Sequence, residues 1–374
     1  MTKKIGILTA GGDSPGLNAA LRGVGKAAHG LYGMDVIGFL DGFSGMLERR
    51  TLDLEGSVLS NILTAGGVLL GASRDRPQQM LVNGQPQDCT AKIIQTFQDL
   101  SLDALVCLGG SDAQESACHL KQNGLNVITL PVTIDNDLVE TDTTLGFDTA
   151  MGIAAEAIDR LHTTASSHHR IIIVEVMGKQ TGWLTLGAGI AGGADVILIP
   201  ELPYDEQSIL RAIKDRSEAG KRFSIVAVSE GAISKETMEF FEKAKKTNER
   251  LRSGADQQKV AGRLMQIEQH SAGNTIHLAN QLEKMTGMDS RITILGYLQR
   301  GGTPSATDRV LATQLGTACA AAINDGVFGV MLGVHGAGRI EPVALEQVAY
   351  QSKTVPLDHP WMHGARMVGT NLGD

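Results

Sequence analysis

The sequence predicts an α/β protein built from two interleaved domains with mainly parallel sheets. Short apolar runs of strand length alternate with segments of helical pattern along most of the chain, as in βαβ units. The chain has 374 residues. A single hydrophobic core seldom accommodates so many residues, so two domains are expected. Its 45 glycines, against an aromatic content of 4%, are typical of a fold with many tight strand-to-helix turns.

Apolar runs of four to seven residues are predicted to be strands, because each is bounded by glycine, proline or polar residues. In chain order they cover residues 5–9, 34–39, 105–108, 127–130, 171–176, 196–199, 224–228 and 292–298.

Helices are predicted between these strands. They begin at about Leu17 and cover 114–121 and 311–323, and the charged stretch 235–269 is also helix-prone. The alternation predicts two Rossmann-like domains: a larger one over 1–150, rejoined by part of 270–374, and a smaller one over 151–330.

Charge and cysteine content narrow the class of protein. The net charge is −8, from 33 basic and 41 acidic residues, which disfavours a nucleic-acid-binding surface. The four cysteines include no CxxC pair and are expected to be reduced and buried. The N-terminal apolar run is too short for a signal peptide and no run approaches membrane-spanning length, so we expect a cytoplasmic protein that binds no membrane.

Two glycine-rich turns follow predicted strands and precede predicted helices. The first contains Gly11 and Gly12, and the second contains Gly109, Gly110 and Ser111. Glycine lets the backbone approach an anion closely, and a helix N-terminus supplies unpaired amides. The first turn is neither a Walker loop nor a GxGxxG motif, so tight-turn geometry without a ligand is an equally good interpretation of that turn alone. Two turns of this kind at strand ends favour a ligand site.

A pair of carboxylates follows the predicted strand 127–130. Asp135 and Asp137 are separated by one residue, Asn136. In phosphoryl transfer, one carboxylate can accept the proton of the attacking hydroxyl while another helps to hold a metal ion. The alternative is an Asx-rich turn with solvated carboxylates.

Several basic residues adjoin glycines or strand ends. They are Arg74, Arg170, Lys179, Arg291 and Arg300. Arginine suits bidentate phosphate binding. For any single residue of this set, a surface salt bridge is the commoner role.

Taken in order, these segments resemble the phosphofructokinase family over nearly the whole chain. The matching stretches are ILTAGGDSPGLNAALRGV, GGVLLGASR, PVTIDNDL, TLGFDTAMGIAAEAIDRLHTTASSHHR, VEVMGKQTGW, GGADVILIPE, VSEGA and ILGYLQRGGTPSATDR. The amino-acid sequence of 144–170 and 192–201 is most similar to that of a bacterial branch of the family whose members use either ATP or pyrophosphate.

The resemblance implies a 6-phosphofructokinase that transfers a phosphoryl group to the 1-hydroxyl of fructose 6-phosphate in the presence of Mg²⁺. The first domain would bind the phosphoryl donor and the second the sugar phosphate. Four residues are expected to be catalytic: Asp135 as the base, with Asp137, Gly11 and Arg74. Those expected to bind the sugar phosphate are Thr133, Arg170, Met177, Gly178, Lys179, Glu230, Arg291, Tyr297 and Arg300. Those expected to bind the donor are Gly11, Arg74, Gly109, Gly110, Ser111 and Asp112.

The resemblance also implies metal ligands and an assembly. Ser111 and Asp137 are the candidate metal ligands, and Ser111 stands where the family usually has a carboxylate, which is a better ligand for a hard cation. Arg170 would reach the sugar site of a neighbouring subunit, so a homodimer or homotetramer is expected. Lys179 stands where the family usually has arginine, which keeps the charge and loses the fork geometry.

The phosphoryl donor stays open at the level of sequence. Asp112 occupies a position where ATP-using relatives tend to have glycine, which favours pyrophosphate, whereas Val132 occupies a position where pyrophosphate users usually have lysine. Two other functions stay open as well. One is transfer to another sugar phosphate such as sedoheptulose 7-phosphate, and the other is a catalytically weak sugar-phosphate-binding regulatory subunit.

Overall fold

The computed structural model describes residues 2–250 and 274–374. The chain divides into two compact units: Met1–Ala150 with Arg300–Lys353, and Met151–Gln299 with Thr354–Asp374. The predicted second domain, 151–330, therefore includes residues 300–330 that the structure assigns to the first unit.

The strands are named in chain order. They are β1 (Lys4–Thr9), β2 (Asp35–Phe39), β3 (Thr51–Asp53), β4 (Met80–Val82), β5 (Gln85–Gln87), β6 (Ala104–Gly109), β7 (Val127–Pro131), β8 (Ile171–Val176), β9 (Val196–Leu198), β10 (Ser224–Ser229), β11 (Ser290–Ile294), β12 (Val330–His335) and β13 (Arg339–Ala344).

The helices are named in the same way. They are α1 (Leu17–Tyr32), α2 (Gly42–Glu48), α3 (Thr90–Asp99), α4 (Ser111–Gln122), α5 (Phe147–His168), α6 (Trp183–Ala191), α7 (Glu206–Glu218), α8 (Lys235–Arg250), α9 (Asn274–Thr286), α10 (Ala306–Asn324), α11 (Leu345–Val348) and α12 (Pro360–Met367). A 3₁₀ helix covers Gly296–Arg300. None of these described helices is long and apolar enough to cross a lipid bilayer.

The first unit contains a seven-stranded sheet in the order β13-β12-β7-β6-β1-β2-β3. The pairs from β12 to β2 are parallel, and the antiparallel strands β13 and β3 form the two edges. Its central strands are buried along their whole length, because helices cover both faces of a parallel sheet. Leu21 of α1 and Leu315 of α10 pack on one face, and Ile93 of α3 and Leu120 of α4 pack on the other.

The second unit contains a four-stranded, all-parallel sheet in the order β11-β8-β10-β9. Its core includes Ile173 of β8, Val226 of β10, Ile209 of α7 and Leu278 of α9, all with less than 1% of their surface exposed. The α/β class with mainly parallel sheets, predicted from the alternation of strands and helices, is confirmed.

The largest differences from the predicted bounds concern two elements. The predicted strand 292–298 ends at Ile294, because Gly296 adopts a left-handed conformation (φ 49°) that breaks the extended run and begins the 3₁₀ helix. The predicted helix 311–323 begins earlier, at Ala306, because Ser305 caps it by accepting a hydrogen bond from the Asp308 amide. Of the helix-prone stretch 235–269, α8 is a helix and 251–269 lies outside the described residues.

Candidate active site

The order of strands in the first sheet fixes where a ligand can bind. From β1 the chain proceeds to β2 on one side, while β6 and β7 lie on the other, so the strand order reverses between β1 and β6. In open parallel sheets, ligands bind beyond the carboxyl ends of the strands at such a reversal. The two glycine-rich turns follow β1 and β6, and the acidic pair follows β7.

A cavity of about 140 Å³ lies at this edge of the first unit. Its lining is polar and carries both signs of charge. The lining residues are Gly11, Gly12, Asp13, Ser14, Arg74, Gly110, Ser111, Asp112, Val132, Thr133, Asp135, Asp137 and Arg300. The structure therefore brings together five of the six predicted donor residues (all but Gly109), the acidic pair, and two of the predicted sugar-binding residues, Thr133 and Arg300.

The turn after β1 contains a glycine in a left-handed backbone conformation. Gly11 has φ 103°, which a residue with a side chain rarely adopts, and the position of its missing Cβ faces open space. Its amide donates to the Ser73 carbonyl at 2.8 Å. This contact places Arg74 beside the turn, and within the described residues Arg74 forms no ion pair, so its guanidinium is available to an anion.

Arg300 supplies the second positive charge of the cavity. Its Nη1 donates to the Asp13 carbonyl at 2.9 Å, and Nη1 lies 2.6 Å from where a Cβ on Gly12 would stand. Glycine at position 12 thus lets the guanidinium lie directly against the first turn.

The turn after β6 contains two glycines with different roles: Gly109 allows two strands to pack closely, and Gly110 lines the cavity. A Cβ on Gly109 would lie 1.9 Å from the Ala10 carbonyl oxygen, so this residue allows β1 and β6 to approach and does not itself line the cavity. Gly110 is the N-cap of α4, and no side chain caps this helix. The first turn of α4, with Ser111 and Asp112, therefore faces the cavity with its positive dipole end.

Asp112 does not present an isolated negative charge. Its carboxylate is ion-paired with Arg76, whose other nitrogen pairs with Glu115 at 2.8 Å. Since Glu115 lies one turn along α4, the fork of Arg76 draws the Asp112 side chain towards the flank of the helix.

The acidic pair is arranged by a strained residue. Asn136, between Asp135 and Asp137, is 5% exposed and has φ 51°, a left-handed conformation that asparagine tolerates better than most residues. The Asp135 amide donates to Thr133 Oγ1 at 3.1 Å. Burial, and next the negative charge of Asp135, raise the pKa of Asp137 to about 6.

The fit of a metal ion depends on the same pair. Asp137 Oδ1 is buried and has no hydrogen-bond partner within the part of the chain that the structure describes. A buried carboxylate oxygen without a donor suits a cation. In those same residues no cluster of three or more acidic, histidine or cysteine side chains is arranged to hold a metal. Mg²⁺ commonly binds through one or two carboxylates together with substrate phosphates, so the residues present fit it.

The other predicted sugar-binding residues belong to the second unit, where they form two groups. Met177 and Gly178 follow β8, Glu230 follows β10, and Tyr297 follows β11, at the carboxyl edge of the four-stranded sheet. The Gly178 carbonyl accepts a hydrogen bond from Ser229 Oγ at 2.5 Å. Lys179 follows Gly178 directly.

Arg170 and Arg291 form the second group, at the opposite, amino edge of that sheet. Arg170 directly precedes β8, Arg291 is the second residue of β11, and both pair with Asp289. The two groups are therefore separated by the length of the strands.

Two residues that contact this machinery were not predicted. Arg76 lies two residues after the predicted Arg74, and no sequence pattern distinguishes an arginine that pairs with α4. Lys353 contacts Asn136 although 217 residues separate them. It lies in no recognisable motif, so no local pattern indicates it.

The cavity lies at the strand reversal of a parallel sheet and has a glycine turn, a helix N-terminus, two arginines and a carboxylate pair, which are the groups that proteins of the phosphoryl-transfer class use. Comparison with known proteins gives the family: the phosphofructokinase family model matches residues 4–323, and the chain belongs to that family.

Two curated relatives match over the whole chain. An ATP-dependent 6-phosphofructokinase from Propionibacterium freudenreichii is 53% identical over 374 residues, covering 100% of both chains. One from Spirochaeta thermophila is 46% identical, covering 100% of this chain and 98% of the relative.

Solved structures agree on the fold. Phosphofructokinase from Pichia pastoris superposes with a TM-score of 0.75 at 28% identity, over 93% of this chain and 35% of the longer Pichia chain. A pyrophosphate-dependent phosphofructokinase from Marinobacter aquaeolei gives a TM-score of 0.76 at 23% identity, over 99% of this chain and 88% of that one, a likeness that concerns the fold alone.

Proposed function

We propose that the protein is a 6-phosphofructokinase that converts fructose 6-phosphate to fructose 1,6-bisphosphate. One observation carries the proposal: Asp135 lines the same cavity as Gly11, Arg74 and the N-terminus of α4. A base and an anion-binding surface on one small cavity are what transfer of a phosphoryl group to a hydroxyl requires.

Each group has a role in this reaction. Asp135 accepts the proton of the sugar's 1-hydroxyl as the oxygen attacks phosphorus. Arg74 and Arg300, on the cavity wall, stabilise the negative charge that spreads over the moving phosphoryl oxygens. Mg²⁺, when bound, would be held by Asp137 and the donor phosphates, with Ser111 beside them, and would neutralise phosphate charge.

The proton acceptor is tested by Asp135→Ser, which keeps a small polar side chain and removes the base. We expect kcat to fall by at least about 10²-fold while the KM for fructose 6-phosphate changes little, since general bases contribute on the order of 10²–10⁴-fold. Kinetics with each substrate varied in turn measure both constants. Near-normal turnover by this variant would remove Asp135 from the mechanism.

For the donor, we propose ATP. Relatives up to 53% identical carry names that specify ATP, and the Arg76–Asp112 pair supports this choice because it draws the Asp112 side chain to the flank of α4. A coupled assay offering ATP and pyrophosphate separately is expected to give faster turnover with ATP.

Arg76→Leu serves as the second arm of that assay. Without its partner, the Asp112 carboxylate is free to enter the cavity and repel phosphate, so the KM for ATP is expected to rise. Faster turnover of the wild-type protein with pyrophosphate would overturn the choice of donor and leave the phosphotransferase assignment standing.

We further propose a homo-oligomer in which Arg170 and Arg291 serve the sugar site of a neighbouring subunit. The six residues of β8 span roughly 20 Å at about 3.3 Å per residue, which separates these arginines from Gly178 and Glu230 by more than a sugar phosphate can bridge. The family and the four buried, free cysteines support a cytoplasmic location.

A further inference from the structure

Lys353 lies outside the segment that the family model matches, 4–323, and is the last residue of the first unit. It follows α11 by five residues, in an irregular segment. Its side chain nevertheless turns inward and is half-buried against the loop that carries the acidic pair.

The contacts of Lys353 converge on that loop. Its Nζ donates to Asn136 Oδ1 at 3.0 Å, to the Thr141 carbonyl at 2.8 Å and to the Asp142 carbonyl at 3.2 Å. Its backbone amide donates to the Asp137 carbonyl at 2.7 Å. An ammonium group carries three donors, and three acceptors spread around one point suit it better than the planar fork of an arginine.

The conformation that these contacts hold is an unfavourable one. Asn136 has φ 51°, a left-handed conformation that residues other than glycine seldom adopt, although asparagine tolerates it better than most. Its side chain bonds at both ends, since Nδ2 also donates to the Asp142 carbonyl at 3.4 Å. Because Asn136 lies between Asp135 and Asp137, its backbone angles decide the directions of both carboxylates.

The far end of the loop is fixed separately. Thr141 Oγ1 accepts from the Val334 amide at 3.0 Å, and the Asp142 amide donates to the Val334 carbonyl at 2.8 Å. Residues 141 and 142 are thus held by hydrogen bonds to β12. Lys353 connects Asn136 to them, because its Nζ bonds to the Asn136 side chain and to both of their carbonyls.

We propose that Lys353 is a positioning residue that holds the 135–137 segment in its catalytic arrangement. The inference rests on the proposed function, in which Asp135 is the base. Lys353 does not line the cavity, so it acts through Asn136 and Asp137 and not on the substrates.

The test removes the ammonium group and keeps the length of the side chain. For Lys353→Met we expect kcat to fall on the order of 10²-fold, the effect of misplacing a reacting group by about 1 Å. The KM for the phosphoryl donor should change less than about threefold, because Gly11, Arg74 and α4 are untouched. Lys121→Met, which removes a half-buried lysine paired with Glu346 on the same unit, is the matched control and should keep normal kcat.

Chemical rescue separates positioning from a general loss of packing. In Lys353→Cys, alkylation of the introduced thiol with 2-bromoethylamine forms a C–S bond with loss of bromide and rebuilds an amine of nearly lysine length. The four native cysteines are buried, so wild-type protein treated identically should be unaffected. We expect kcat to recover at least tenfold, whereas iodoacetamide, which adds no cation, should not restore it.

A readout independent of turnover completes the design. Amide hydrogen exchange of peptides covering 133–142 should quicken in Lys353→Met and not in Lys121→Met. Unchanged exchange there, or a kcat within threefold of wild type, would overturn the inference. If the wild-type protein turns over with neither donor, the proposed function fails, and the exchange data still decide whether Lys353 holds the loop.

Discussion

Asp137 is a cavity-lining carboxyl group whose charged form destabilises the folded protein. It is half-buried and next to Asp135, and these two causes raise its pKa to about 6 from an ordinary 3.8. A carboxyl whose pKa is raised in the folded state favours folding only while it is protonated. Its contribution is fully present below pH 3.8 and is lost as the pH rises through 6.

The consequence can be measured with Asp137→Asn in the absence of divalent cations. Below pH 4 the variant and the wild-type protein should have similar Tm values. Between about pH 4 and 7 the variant should become the more stable protein, by up to about 3 kcal/mol at 1.4 kcal/mol per pKa unit, while its activity is lost. Asp53→Asn, which removes an exposed carboxyl on β3, controls for the change in net charge. A difference in Tm that does not vary with pH would contradict the assigned cause.

At the scale of residues, the sequence predicted which side chains line the cavity better than it predicted the contacts that those side chains make. The spacing of Asp135 and Asp137 after an apolar run was enough to predict a carboxylate pair at a strand end, because side chains and turns there obey local geometry. The pairings of Arg76 with Asp112 and of Lys353 with Asn136 depend on chain crossings in space. No pattern along the sequence encodes them.

Among the elements, α10 and α5 depend on each other at their N-termini. Ser305 caps α10, and its Oγ also donates to Asp148 of α5 at 2.6 Å. In return, the buried carboxylate of Asp308 accepts from the amides of Gly146 and Thr149, both at 2.9 Å, at the start of α5. These reciprocal hydrogen bonds between the two helix N-termini hold the segment 305–308, which follows Arg300 by five residues.

Ser305→Ala tests the capping interaction. Losing an N-cap costs about 1 kcal/mol, which corresponds to a fall in Tm of roughly 2–4 °C for a unit of this size. Ser305→Thr, which keeps the hydroxyl, should stay close to wild type, and Thr317→Ala, on the exposed face of α10, should not lower the Tm. A drop for Ser305→Thr as large as that for Ser305→Ala would mean that the hydroxyl is not what stabilises the helix.

Buried parallel strands were predicted best, whereas the strands that were not predicted include the edge strands β3 and β13 and also β12, which lies inside the seven-stranded sheet. Strands β1, β6, β7, β8 and β10 are mostly apolar runs of strand length, and β6 and β7 end in glycine and proline, which makes such runs distinctive. The hairpin of β12 and β13 was missed because β13 is largely exposed and contains Pro342, a residue that argues against a strand except at a sheet edge. The end of β11 was misplaced because the apolar residues of the 3₁₀ helix continue the strand pattern without a break.

For the whole molecule, the arrangement of the second unit has a consequence for assembly. Arg170 and Arg291 lie at one edge of its sheet and Gly178 and Glu230 at the other. The sugar site proposed above, which contains both groups, would therefore need two copies of the chain. Each site would then combine Asp135 of one subunit with Arg170 of another.

Mixing two inactive variants tests this arrangement. Asp135→Ser and Arg170→Ala should each have little activity alone. After the two are unfolded and refolded together in equal amounts, about a quarter of the wild-type activity should return, because half of the subunit pairs are hybrid and each hybrid pair contains one intact site. Refolding each variant by itself is the control. Failure of the mixture to regain activity, with hybrids shown to form by mass spectrometry, would exclude a shared site.

The position of β12 beside β7 also bears on how the chain is made. About 200 residues separate the end of β7 at Pro131 from the start of β12 at Val330. At 5–20 residues per second, a ribosome takes roughly 10–40 s to supply the strand that covers this edge. For that interval the nascent polypeptide carries an apolar strand with unpaired amides, the kind of surface that chaperones recognise. Since β12 follows residue 323, a gene fragment ending with the family match would leave that strand exposed permanently.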